Sequence, residues 1–144
     1  MFSKRMLHCM PLILFSSFSL TIQSGNFIPM MFDTMQNDFP QWDSNYKLSM
    51  ALFAMTPLGL GEIIGGLIMA NISDKLGNHG TLKYILVLIT LAFSVLFATL
   101  YYYKFNALVF VMTFFWGVMD VSLSTFIIGV LAFEFDSQIT PFSV

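Results

Sequence analysis

The chain has 144 residues, of which 57% are hydrophobic and 10% charged, with a mean hydropathy of +0.79. Soluble domains average about 45–50% apolar and about 25% charged residues, so water is not the main solvent for which this chain is built. A net charge of −2 with scattered Lys and Arg leaves no basic field for nucleic acid, and the single cysteine, Cys9, excludes an internal disulfide and a cysteine-based zinc site.

A membrane-spanning helix needs about 20 mainly apolar residues, because ~30 Å of hydrocarbon is climbed at ~1.5 Å per residue. Stretches at residues 6–28, 48–72, 82–103 and 107–133 reach that length. They predict an all-α fold, a polytopic transmembrane bundle of about four spanning helices in one membrane domain over 1–144. Four such runs leave almost no amphipathic surface to face water, which argues against a soluble helical fold.

The first stretch also fits a second pattern. Lys4 and Arg5 ahead of Leu12-Ile13-Leu14-Phe15 match the charged and apolar regions of a secretory signal peptide, and Ser17-Phe18-Ser19 could serve as its cleavage site. Apolar residues continue through Ile22, Phe27 and Ile28, and no soluble ectodomain follows, which favours a retained span. The loop charges set the orientation. Lys4, Arg5, Lys75 and Lys83 fall on one side and only Lys47 and Lys104 on the other, which places the N-terminus and the 73–81 loop in the cytoplasm. The stretch from Met31 to Lys47, with Asp33, Asp38, Asp43, Trp42 and Tyr46, reads as a solvated outer loop. Asn71-Ile72-Ser73 matches a glycosylation sequon but falls at the cytoplasmic face, where it stays unmodified.

The second stretch is rich in glycine. Gly61 to Gly65 and Gly66 to Ala70 are both small-xxx-small steps, the pattern that lets two helices approach closely where no water drives them together. Gly61 and Gly65 are therefore expected to be helix-packing residues. Pro57 removes one backbone hydrogen bond upstream and is expected to kink the helix.

Gly66-x3-Ala70-x3-Asp74-Lys75-x-Gly77, at the end of this stretch, resembles the signature loop between helices two and three of the major facilitator superfamily. Ala70 stands where glycine is usual, and Asn78-His79 replaces a basic pair, which would reduce the charge relay attributed to this loop. In the fourth stretch, Trp116-Gly117-Val118-Met119-Asp120-Val121-Ser122-Leu123-Ser124-Thr125, followed by Leu131-Ala132-Phe133-Glu134-Phe135, resembles the Trp-Gly-x-x-Asp segment of the uncoordinated-ninety-three-like branch. Gln23-Ser24-Gly25-Asn26 faintly resembles a polar stretch in the same branch. The resemblance implies a carrier of about 12 helices in two six-helix halves, with substrate between the halves near the midplane. It also implies a second role, because the branch resembles channel-regulating and receptor-trafficking proteins. Four helices cannot form a two-half cavity. The tail over 134–144, with Pro141 placed as a helix-start proline, reads like the approach to a fifth helix, so the chain is expected to be an N-terminal fragment or a truncated paralogue.

Two carboxylates fall inside the expected hydrocarbon layer, Glu62 and Asp120. A charge there costs on the order of 2.5–3.5 kcal/mol on insertion scales, so such residues face the bundle interior, stay protonated or find partners. Lys83 sits at the edge of the third stretch, and no other Lys or Arg lies inside the spans to pair with either carboxylate. They are the transport or proton-relay candidates, Asp120 the more so because Ser122, Ser124 and Thr125 surround it in sequence. The bland alternative is that each is a neutral acid hydrogen-bonded to a neighbouring helix. No hydrolytic or other catalytic constellation is present: His8 and His79 are far apart in sequence with no acidic ligand at metal spacing, and no Gly-Lys-Ser/Thr follows the glycines. The expectation is a non-enzyme with no cofactor and no metal. Its partners would be the lipid bilayer, another membrane protein, and a small solute or ion if the intact chain is longer.

Overall fold

The computed structural model describes residues 4–134, with side chains described over 10–132, so the tail beyond Glu134 lies outside the described residues. All regular structure among them is helical, in the order α1 (Lys4–Asp38), α2 (Ser44–Ala54), α3 (Thr56–Tyr102) and α4 (Ala107–Glu134).

Helix α1 runs past the expected end at residue 28. Pro29 removes only the bond that its own N–H would give to the Gly25 carbonyl. Beyond it Met31, Thr34 and Met35 follow at helical spacing and are buried, so packing carries the helix on. It stops where Pro40 disfavours helical backbone at Phe39. The expected outer loop over 31–47 is thereby reduced to residues 39–43. Asp43 starts α2 by accepting a hydrogen bond from the Asn45 amide at 3.1 Å. Lys47, expected in solvent, is only 4% exposed and shares a helix face with buried Ala51 and Ala54.

The second apolar stretch is interrupted at Met55, two residues before Pro57. Pro57 has no amide to donate, and the Leu58 amide bonds the Met55 carbonyl at 3.1 Å, leaving the Ala54 carbonyl without its usual partner. Thr113 Oγ1 of α4 donates to that carbonyl at 2.9 Å. A break that would otherwise bury an unpaired acceptor is thus closed by a neighbouring helix.

As one straight rod, the 47 residues of α3 would extend about 70 Å. The rod reverses at Gly77, where φ is 61° and ψ −179°, a region open essentially only to glycine. The expected 73–81 loop is therefore helical on both sides of a single hinge residue. Helix α4 lies against both limbs. Gly61 meets Phe114 and Gly65 meets Val118 and Val121, so the first limb and α4 run parallel. Phe93 of the second limb meets Trp116 at a ring separation of 5.3 Å, and Ile85 packs with Leu123, so the second limb runs antiparallel to α4. Helix α1 is also antiparallel to α4, with Phe27 against Trp116 and Ser19 bonded to Asp120. The result is four rods: α1, then α2 with the first limb of α3, then its second limb, then α4.

Two stretches, Ser44–Tyr102 and Ala107–Ala132, are long and apolar enough to cross a membrane. The outward faces agree in character: Ile63 is 64% exposed, Leu67 66% and Val87 65%. Apolar exposure on that scale needs a cover other than water.

The first limb and α4 approach through glycines on both sides. A Cβ on Gly117 would strike the Leu58 carbonyl, and one on Gly61 the Phe114 carbonyl, whereas Gly66 faces open space. Gly117→Val is expected to destabilise the fold by about 1–3 kcal/mol through overpacking. Gly66→Ala should leave the thermal midpoint in detergent unchanged or slightly raised.

Candidate functional site

Asp120 is the one carboxylate buried in the interior among the described residues, at 8% exposure. The Ser19 hydroxyl of α1, itself buried, donates to its Oδ1 at 2.9 Å. One turn earlier on α4 stands Trp116, fully buried between Phe27 of α1 at 5.0 Å and Phe93 of α3 at 5.3 Å, ring to ring. Ser19, Gln23 and Phe27 follow at four-residue intervals, which puts them on one face of α1. That face meets Asp120 and Trp116. Gln23 therefore sits between the Ser19–Asp120 and Phe27–Trp116 contacts, and its Oε1 is buried without a hydrogen-bond partner. The Trp116 Nε1 and the Ser122 Oγ are likewise buried and unpaired. A polar strip with a carboxylate at one end thus crosses an otherwise apolar core. Among the described residues no ammonium or guanidinium stands at this position, so what it can do chemically is hold and exchange protons or take a small polar ligand.

The other expected site residues are spread out. Glu62 is half-buried on the first limb of α3, and among the described residues its carboxylate makes no hydrogen bond. Asp74, Lys75 and Gly77 lie exposed around the α3 hinge, with Ala70 exposed and Gly66 half-buried on the limb leading to it. Gly61 and Gly65 are buried against α4. Ser122 is buried, Ser124 half-buried and Thr125 exposed, so only the Trp116 and Asp120 end of that segment joins the α1 contact. Gly117 belongs to the interhelical packing. Ser19 and Gln23 are the members that sequence reading does not assign to a site, the first being read as a cleavage-site residue and the second only as part of a faintly family-like polar stretch. Their four-residue spacing toward Phe27 on an apolar helix was the signal available.

At the far end, two aspartates of α1 tie down the α3–α4 connection. The Tyr103 hydroxyl donates to Asp33 Oδ2 at 2.7 Å, and the Phe105 amide to Asp38 Oδ2 at 2.8 Å. A cavity of about 660 Å³ beside them is lined by Asn26, Pro29, Asp33, Leu48, Leu100 and Tyr103 and does not reach Asp120. No metal-binding group of His, Cys, Asp and Glu occurs among the described residues.

The class that fold and site define is an all-helical bundle with long apolar rods and one buried carboxylate. Compared with family models, with curated proteins and with solved structures, the chain matches none.

Tyr103 stands one residue beyond α3. Its hydrogen bond to Asp33 raises the phenol above the usual 10.0, with burial and the Asp33 charge acting the same way. A raised acid is stabilising while protonated, so this contribution is full below pH about 10 and is lost as pH climbs through the raised value. Unfolding midpoints measured against pH should show an alkaline loss in the wild type that is smaller in Tyr103→Phe.

Proposed function

We propose that the chain is a multi-pass membrane protein in which all four rods cross the bilayer, similar to the first helices of an uncoordinated-ninety-three-like carrier of the major facilitator superfamily. Such a protein moves a small solute or ion, and Asp120 is the group that binds or releases the coupled proton. The observation that carries this reading is the Ser19–Asp120 pair, buried beside Trp116 where α1 meets α4. An interior carboxylate among apolar helices is costly to keep unless it works, and a proton carrier needs one that can change charge without leaving its site. Four rods do not enclose a central cavity between two halves, so transport requires further helices, on the same polypeptide or another. Glu62 is the secondary candidate on this reading. The hinge at Gly77 with Asp74 and Lys75 serves as the cytoplasmic turn that couples the two limbs of α3.

A second reading is favoured by a separate feature. Gly25, Gly59, Gly66 and Gly129 have open space where a Cβ would stand, so these small positions are not used within the bundle. A non-transporting subunit that docks on a channel or receptor would place a partner helix against them. Isolation in mild detergent without any accompanying membrane protein would count against docking.

Proton flux measured in vesicles containing the native protein tests the first reading. Asp120→Asn keeps the size of the side chain and one oxygen to accept from Ser19, but it cannot take up a proton. It is expected to lower flux at least about tenfold, equivalent to about 1.4 kcal/mol in the rate-limiting barrier. Unchanged flux in a folded Asp120→Asn protein removes Asp120 from the mechanism.

A further inference from the structure

The interior strip carries more polar groups than its protein partners satisfy. Trp116 Nε1 can only donate and Gln23 Oε1 can only accept, and both are buried with no hydrogen bond. Asp120 Oδ1 is taken by Ser19, while its second oxygen has no hydrogen bond among the described residues. Leaving a fully buried donor or acceptor such as Trp116 Nε1 or Gln23 Oε1 dry is costly, so native interiors pair such groups, often through ordered water. The antiparallel contact of α1 and α4 sets Gln23 at the height between Trp116 and Asp120, within one helical turn of both.

We infer that this strip holds an ordered water that accepts from Trp116 Nε1 and donates to Gln23 Oε1 and to the free oxygen of Asp120. The donor and acceptor inventory selects the occupant. One donor and two acceptors call for a species with one free lone pair and two O–H groups, the set that water supplies with the about three hydrogen bonds usual for buried waters. A bare cation would face the Trp116 N–H, and a solute hydroxyl has only one hydrogen to give. The water is the group through which the Asp120 carboxylate can take up a proton at the α1–α4 contact. Its significance rests on the reading of Asp120 as the working carboxylate, but its existence does not.

The test uses the Trp42→Phe protein, which retains Trp116 as the single indole and keeps an aromatic ring for the stack on Phe39. With isotope-labelled indole nitrogen in detergent micelles, magnetisation transfer from water should give a cross-peak at the Trp116 Nε1 proton. Adding Gln23→Leu should abolish it. Absence of the cross-peak in the Trp42→Phe protein, or its persistence unchanged with Gln23→Leu, overturns the inference. So does a shift of the indole signal on titration with sodium, which would mark a cation site. If the leucine variant does not fold, hydrogen exchange in heavy water decides. A Trp116 indole that exchanges faster than the flanking α4 amides supports the water, and one that exchanges as slowly as they do overturns it. A hydrated Trp116 in a protein that moves no protons would reject the transport reading and leave the water site standing.

Discussion

The close backbone approach of α4 to the first limb of α3 is the constraint on which the rest of the structure depends. Gly61 and Gly65 on one side and Gly117 on the other bring main chain against side chain and main chain at Phe114, Val118 and Leu58. In a bundle whose outer surfaces are apolar, there is little hydrophobic gain in choosing one helix neighbour over another, and fit decides. Once α4 is seated there, Thr113 reaches the Ala54 carbonyl freed beside Pro57, so the break between α2 and α3 becomes tolerable because of the same contact. The hinge at Gly77 then returns the second limb to the opposite flank of α4, where Phe93 closes on Trp116.

The site follows from that seating. Trp116 precedes Gly117 by one residue and Asp120 by four, so the face of α4 not occupied by the glycine contact carries the indole and the carboxylate toward α1. Ser19, Gln23 and Phe27 receive them in register. The aromatic contacts of Trp116 fix the indole between two helices, and the carboxylate is left with a single hydroxyl partner in an apolar setting. On the proposed transport reading the carboxylate is retained for its proton, since an apolar residue of similar volume would pack there at lower cost. The docking reading draws instead on glycines that the bundle leaves open, and the two readings concern different faces of the same rods.

Much of this was legible from residues alone, and the reasons differ by element. Hydropathy and length marked the apolar rods, and the glycine spacing pointed to close packing at Gly61 and Gly65. Pro57 signalled the break beside Met55. The end of α1 was misplaced because the polar residues from Asp33 to Asp38 look like loop, whereas buried Met31 and Met35 extend the helix until Pro40. The burial of Lys47 was equally hidden, since its charge argued for solvent while the adjoining Ala51 and Ala54 face decided its position. The Asp120 partner could not be read in advance, because Ser19 lies a hundred residues away in sequence and only the pairing of α1 with α4 brings the two together. Gly66 shows the converse. Its small-residue step with Ala70 suggested packing, yet the limb rotates it away from α4 into open space.

The central claim is that the rods cross a bilayer, with the 39–43 connection and the Gly77 hinge on opposite sides. Single cysteines at Gln41 and His79, both exposed, in a Cys9→Ser background allow this to be measured with a membrane-impermeant thiol reagent on sealed vesicles. The account predicts that one position labels from outside and the other only after the vesicles are opened. Labelling of both from the same side, or recovery of the chain in the soluble fraction, would contradict it.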